Sequence, residues 1–439
     1  MAESKNETGW IKLFEDHKIL ESIQKAGSFI IDSKKINVER EARLMAKIDH
    51  SFQLPKIFAD NNLSILPISR GAYIISDIKT FSDFTPCDDS IIDFRFPEYI
   101  ESLDFNNITS EAVAINGAYV SGIIENFTQD KLLLPTVNGR MSSQAFNFNI
   151  YRNPPKSDFL NIGVEKSQIE IDAGFEGMNS LNLIEAKNTI SSDFIIRQLY
   201  YPYRLWESKI SKPVRPMFLT YTNGIFHMRE YVFDDLMNYN SIRLINQKRY
   251  RIKENTSLVI NTETIQGLIH NSIIISEPEI PFPQADSFER IINLCEILGN
   301  KVSLTKEELI SDYDFKQSDT FDLRQVDYYT NAARYLGFIE RGRNENNEVC
   351  YFLTSKGNDL FELPIKERQI EFSKSILSHL VFNRVLSLYF NKAEIPSKSE
   401  ILQIMKDSNL YHIDSDDTFK RRASTIFSWI NWILDLIEE

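Results

Sequence analysis

The sequence predicts a mixed α/β fold with helical modules at both ends. Three observations predict it. Residues 11–50 carry helix-period patterning. Residues 109–253 read in order as helix, hairpin strands, helix and strands, the succession of a mixed α/β core. Beyond a proline-bearing stretch at 276–285 the chain changes character and turns largely helical.

At the N-terminal end, KLFEDHKILESIQKAG is amphipathic and stops at Gly27. NVEREARLMAKID follows, with Asn37 placed as an N-cap. Two short helices with a tight connection predict a helix-turn-helix. LSILPISRGAYIISDIKTF is strand-rich and predicts a wing or a small sheet. TSEAVAINGAYVSGIIENFT predicts a helix that Gly117 and Gly122 weaken. LLPTVNGRMSSQAFNFNIYR predicts a turn at Asn138-Gly139 with alternation after it. SSDFIIRQLYYPYRLWESKI predicts a helix capped by Ser191 or Ser192 and kinked at Pro202. PVRPMFLTYTNGIFHMREYVF predicts a hairpin turning at Asn223-Gly224.

The 439 residues suggest two to four domains. With 42% hydrophobic and 25% charged residues the composition is that of an ordinary globular protein. No apolar run reaches membrane-spanning length, and MAESKNETGW lacks the apolar region of a signal peptide. The three cysteines, Cys87, Cys295 and Cys350, are scattered and fit neither a disulfide framework nor a zinc pattern. A reducing cytoplasm is the expected location. The net charge of −13 argues against a protein that coats nucleic acid, while leaving room for a local basic face. Walker loops, GxGxxG and His/Cys clusters are missing, which speaks against ATP-driven or dinucleotide chemistry.

The most informative stretch is 168–187, QIEIDAGFEGMNSLNLIEAK. Two apolar-alternating runs flank a turn-like Gly-Met-Asn-Ser, the pattern of a β-hairpin. Side chains two apart on a strand share a face. Glu170 and Asp172 therefore point one way, and Glu185 pairs with Lys187. Folding the hairpin sets Asp172 beside Glu185 and Lys187. Two carboxylates so close, with an ammonium near them, are costly in a dry core. A hard divalent cation with oxygen ligands relieves that cost, and phosphodiester hydrolysis uses such a cation. An ordinary surface salt bridge is the bland alternative. The largely apolar strand that carries Glu185 and Lys187 favours a site.

Asp172, twelve intervening residues, then Glu185-Ala186-Lys187 resembles the PD-(D/E)xK nuclease signature. The resemblance covers about 106–275. Ile171 stands where the signature has proline, a position often replaced. With its flanking helix-turn-helix modules the chain looks like a type II restriction endonuclease. The resemblance implies that Asp172 and Glu185 hold Mg²⁺, with the Ala186 carbonyl a further ligand. It implies that Lys187 orients or helps deprotonate the attacking water and stabilises the charged phosphorane. Glu111 matches an extra acid of some members, and Gln198 a helix residue that steadies the site. Glu170 is a second candidate metal ligand or an exposed strand residue. Asp77-Ile78-Lys79 also ends an apolar strand but lacks an acidic strand at hairpin distance before it.

After 276–285, DSFERIINLCEIL, TKEELISDYDF and RQVDYYTNAARYLGFI are three helices, and FIERGRNENNEVCYFLTSKG is a polar-tipped hairpin. This is the winged-helix order, with 324–336 as the recognition helix. Arg324, Tyr328, Asn331 and Arg334 on that helix are candidate base readers, opposed by Asp327. Tyr329 lies on the same helix. Arg341 and Arg343 suit phosphates. Arg140, Ser142 and Ser143 either reach a groove or close a turn. Lys420, Arg421 and Arg422 open the last helix. Lys248, Arg249, Arg251 and Lys253 form the densest basic run, read as a solvated loop or a phosphate contact.

The expected domains are 1–105 (helix-turn-helix region), 106–275 (restriction-endonuclease-like core), 276–285 (linker), 286–366 (winged helix) and 367–439 (helical, second helix-turn-helix-like). The expected function is a Mg²⁺-dependent, site-specific double-stranded DNA endonuclease. Cutting both strands calls for two sites and hence a homodimer on DNA. A companion DNA methyltransferase is implied by the resemblance alone. The alternatives are a non-catalytic winged-helix regulator with a decayed nuclease fold, and a structure-directed repair nuclease.

Overall fold

In the computed structural model the described residues are 5–87, 90–156, 158–254, 256, 258–314, 324–411, 413 and 415–438. They form a mixed α/β protein that divides into two compact units. The first holds Met1–Glu98, Ser110–Tyr221 and Ile225–Ile252; the second holds Tyr99–Thr109, Thr222–Gly224 and Lys253–Glu439. Among the described residues no helix is long and apolar enough to cross a membrane.

The first unit is built on a seven-stranded sheet. Its strands in chain order are β1 (Ile91–Arg95), β2 (Leu134–Ser142), β3 (Gln168–Glu176), β4 (Leu181–Lys187), β5 (Val214–Thr222), β6 (Ile225–Phe233) and β7 (Ile242–Lys253). The spatial order is β1-β7-β6-β5-β4-β3-β2. β3 and β4 form the antiparallel hairpin expected over 168–187, in register from Leu181 opposite Glu176 to Ile184 opposite Ala173. β4 and β5 are parallel, so a crossover is required. Helix α2 (Arg197–Glu207) supplies it. Its Leu199, Tyr200, Tyr201 and Leu205 are buried in one cluster with Ile171, Leu183, Phe194, Phe218 and Tyr231. Helix α1 (Glu111–Val120) lies between β1 and β2 in the chain, capped by Ser110, whose hydroxyl accepts the Val113 N–H. Gly122, at φ 83°, separates it from Ile123–Thr128.

Four local expectations are corrected. The segment 29–50 is not a simple pair of helices. Phe29–Asp32 is a strand paired with Ala72–Ser76, and the rest holds only short helices at Ser33–Ile36 and Ala42–Met45. Asn37 is not an N-cap: it closes the C-terminal end of Ser33–Ile36, and its side chain accepts the Ala42 N–H at 2.7 Å. The partner strand lies some forty residues on, so local pattern does not reveal it. Asn138-Gly139 makes no turn: β2 runs through it with register shifts, and Gly139 at φ 80° serves a bulge instead. Ser191 and Ser192 do not cap α2, because Asp193–Ile195 is a strand paired with Phe81–Asp83 and α2 starts at Arg197. The run Lys248 to Lys253 lies in β7, not in a loop. The Asn223-Gly224 turn stands as expected, at φ 50° and 75°.

In the second unit, helix Thr262–Asn271 is followed by the residues 276–285 expected as a linker. They form neither helix nor strand, yet Phe282 and Ala285 are buried in the core. Then follow helices at Phe288–Gly299 and Lys306–Asp312, helix α3 (Arg324–Tyr335) and strands Ile339–Arg343 and Val349–Leu353. Leu304–Thr305 adds a third strand to that hairpin. Five further helices end with α4 (Asp416–Leu434). Phe288, Phe372, Phe382, Trp429 and Trp432 share one core, so 286–366 and 367–439 pack as one body.

Candidate functional site

The β3–β4 ladder ends at Ala173 and Ile184, and the site begins there. The next acceptor is a side chain: Asp172 Oδ2 takes the Ala186 N–H at 2.8 Å. Glu185 follows on a buried strand and is only 8% exposed. Its Oε1 receives the Lys187 ammonium at 2.6 Å and Gln198 Nε2 at 2.6 Å. The ammonium also donates to the Ala186 carbonyl at 3.2 Å and lies 3.8 Å from Glu111 Oε1. The structure thus brings together Asp172, Glu185, Ala186, Lys187, Gln198 and Glu111. A shallow recess adjoins them, lined among others by Glu170, Ile171, Leu183, Glu185 and Gln198.

Burial drives the Glu185 carboxyl up to about 8, although Lys187 pulls the other way. Burial also works against the Lys187 ammonium. The carboxylates of Glu185, Asp49, Glu111 and Asp172 outweigh it and raise the lysine above its ordinary range. The charged lysine is the firm member of the pair. Burial raises Glu111 as well.

Sequence reading missed Asp49. Burial opposes its charge, but Lys187, Arg197, His50 and Lys47 together hold its carboxyl below the usual range. The segment is pinned beside α2: Ile195 N–H donates to the Asp49 carbonyl at 2.7 Å. His50 Nδ1 meets the Asp193 carbonyl at 2.5 Å, and Ser51 N–H donates to Asp193 Oδ1 at 2.9 Å. No signal near residue 49 announces this, because Lys187, Ile195 and Arg197 lie more than a hundred residues away.

Other candidates stand apart from the cluster. Glu170 is exposed and pairs with Arg140 at 3.2 Å. Ser142 is exposed. Ser143 is buried and its hydroxyl accepts the Ser167 N–H at 2.9 Å, which removes it from any groove. Asp77 is tied to Arg152 and to Lys156, the latter at 2.7 Å, and makes no second acidic site.

In the second unit the side chain of Arg324 lies outside the described residues. Tyr329 is fully buried and belongs to the core. Asn331 accepts from Arg334 at 3.0 Å, and Asp327 pairs with Lys306 at 2.8 Å. Arg341 and Arg343 are exposed, the latter donating to the Asn347 carbonyl. Lys420 and Arg421 are exposed. The Arg422 guanidinium stands 5.8 Å from the Tyr328 ring, so the starts of α3 and α4 share a basic, aromatic face.

Three family models match the chain. Residues 7–75 match domain of unknown function DUF6996, residues 76–251 match DUF6997 and residues 290–438 match DUF7226. No curated protein and no solved structure matches. Glu111, Asp172, Glu185, Lys187 and Gln198 all fall inside the 76–251 match, while Asp49 belongs to the 7–75 match.

Among the described residues no three His, Cys, Asp or Glu side chains gather as a closed metal centre. Asp172, Glu185 and the Ala186 carbonyl instead offer an open, all-oxygen set. That suits Mg²⁺, which binds through one or two carboxylates and keeps water and phosphate oxygens in its other positions.

Proposed function

We propose that the chain is a Mg²⁺-dependent, site-specific endonuclease acting on double-stranded DNA, of the type II restriction kind. One observation carries the reading: Asp172, Glu185 and Lys187 converge where two paired strands part, with Gln198 and Glu111 beside them. The order of residues along the chain and their meeting in space agree with a PD-(D/E)xK core.

Mg²⁺, when bound, supplies Lewis-acid stabilisation of charge on phosphate oxygen. Asp172, Glu185 and the Ala186 carbonyl would hold it. Lys187, kept as an ammonium by the surrounding acids, donates hydrogen bonds to the phosphate or its nucleophile. A lysine so held is a poor proton acceptor at neutral pH, so its role is electrostatic and orienting, not that of a general base. Gln198 keeps Glu185 aligned.

The second unit supports DNA reading. Its helix–strand–helix–helix–hairpin order is that of a winged helix, with α3 in the recognition position. Arg422 beside Tyr328, and the exposed Arg341 and Arg343 of the hairpin, are groups that suit nucleic acid despite the acidic chain. Cutting both strands calls for two copies on DNA.

The test is incubation of supercoiled plasmid with the full chain in Mg²⁺ or in EDTA, followed by sequencing of the ends. Discrete fragments with one common end sequence, formed only with Mg²⁺, support the reading. Retarded but uncut plasmid makes the protein a DNA-binding regulator. Cleavage confined to branches or ends makes it a repair nuclease.

A further inference from the structure

On the face of the sheet that carries Lys187, a second positive group has no carboxylate paired with it among the described residues. Lys187 lies opposite Thr220 in the parallel pairing of β4 and β5. Thr220 Oγ1 accepts from Arg229 Nη1, on the next strand, at 3.1 Å. Arg229 is only 7% exposed. Its other partners are the His227 ring nitrogen Nδ1, at 2.6 Å from Nη2, and the Phe84 ring, 4.5 Å from the guanidinium carbon. No Asp or Glu pairs with it among the described residues. Neighbouring Glu230 points to the opposite face, where both its oxygens bind Arg215 at 2.7 Å. Arg229 Nε and the Tyr231 hydroxyl, two residues along on the same face, are both buried without a hydrogen-bond partner.

A buried guanidinium with no counter-charge is costly, and so is each orphaned polar atom. A single oxyanion relieves both. Arginine presents its donors as a planar fork that matches phosphate. Thr220 and His227 are half-exposed, so the guanidinium lies one side chain below the surface. Arg249 sits opposite His227 on β7. Two strand spacings, roughly 10 Å, separate Arg229 from Lys187.

We propose that Arg229 and Tyr231, with Thr220 beside Lys187, form an oxyanion-binding site that takes a phosphate of the nucleic acid next to the one that is cut. The phosphate assignment rests on the nuclease reading; the oxyanion site itself does not. Arg229 Nε and the Tyr231 hydroxyl donate to the anion, while His227 stays neutral and accepts from Nη2.

The experiment follows thermal unfolding of the full chain in inorganic phosphate and in sodium chloride of equal ionic strength, without divalent metal. Wild type, Arg229→Lys, Arg229→Met and Tyr231→Phe are compared. Duplex binding is titrated against salt in parallel. Phosphate is expected to raise the Tm of wild type above its value in chloride. Arg229→Lys should keep part of that rise, Tyr231→Phe should reduce it and Arg229→Met should abolish it. Duplex affinity of Arg229→Met should fall about tenfold, with a salt slope shallower by about 1. The proposal is overturned if phosphate stabilises wild type no more than chloride, or if Tyr231→Phe and Arg229→Met keep the full phosphate shift. If Arg229→Met does not fold, the wild-type and Tyr231→Phe results decide. A phosphate shift in a chain that cuts no DNA keeps the oxyanion site and removes the nuclease. Cleavage without a phosphate shift does the reverse.

Discussion

Asp172 Oδ2 accepts the Ala186 N–H at 2.8 Å, one step beyond the last paired residues of the β3–β4 hairpin. A side-chain carboxylate continues the ladder where the two backbones part. In the nuclease reading proposed above, the other carboxylate oxygen and the neighbouring Ala186 carbonyl would serve a cation.

Asp172→Asn separates the two duties. The amide oxygen still accepts the Ala186 N–H, so Tm should stay close to wild type. Charge for the metal is lost, and Mg²⁺-dependent cleavage should fall on the order of 10²–10³-fold. Plasmid cutting and thermal unfolding of one preparation check this. Undiminished cutting by the variant would remove Asp172 from the site.

Lys187→Ala should end cutting while the duplex is still bound. Glu185 can then take up a proton instead of remaining an isolated charge. That limits the loss of stability to about 1–3 kcal/mol. Gel retardation without Mg²⁺, beside a cleavage assay with it, separates the two readouts. A variant that still cleaves rules out the assigned role.

Asp130 is a structural counterpart to these residues. It is 2% exposed and accepts the N–H groups of Lys131, Asn179 and Ser180 and the Ser180 hydroxyl, at 2.9 to 3.1 Å. These bonds hold the turn between β3 and β4. Asp130→Ala strands those donors and should cost about 2–4 kcal/mol. Burial opposes its charge, but the bonds from Ser180, Asn179 and Lys131 prevail and its carboxyl sits below the ordinary range. A depressed carboxylate stabilises above its unfolded pKa, and the gain is lost as pH falls through the folded one. The gap between wild type and Asp130→Ala should therefore be full at pH 7 and shrink in acid. A gap that persists unchanged into strong acid would contradict this.

His379 gives the second unit an acid weakness. Its ring stacks on Tyr335 at 4.1 Å, and burial lowers it to about 3. The unfolded chain takes up a proton below about pH 6.5 while the folded chain resists it, so stability declines as pH falls from there toward 3. The contribution reaches about 3 kcal/mol by pH 4. Glu277, bound to the same tyrosine hydroxyl and raised to about 7 by burial, acts with the opposite sign: its contribution is lost as pH rises through 7. His379→Phe keeps the stack and should flatten the decline below pH 6.5. Denaturant midpoints between pH 4 and 7 measure it, and equal slopes for the two proteins would count against the assignment.

The hairpin at 168–187 was legible because strict alternation, a turn and charges on an apolar strand coincide within twenty residues. The Asn223-Gly224 turn was legible for the same local reason. Asn138-Gly139 misled, since a glycine at positive φ serves a bulge and a turn alike. The strands Phe29–Asp32 and Asp193–Ile195 were hidden because their partners are remote: a strand of three or four residues carries no period of its own. Asp49 and Arg229 escaped for a related reason. What marks them is the company of other strands: acids around Lys187 in one case, no paired carboxylate among the described residues in the other.

The pinning of Asp49, His50 and Ser51 against Asp193 and Ile195 has a bearing on how the polypeptide may be divided. The seam between the first two family matches, at 75 and 76, falls inside the strand Ala72–Ser76. A fragment starting at that seam would lose the strand's partners and leave Asp193 facing water. The two stretches share one compact unit, and cutting between them divides a sheet.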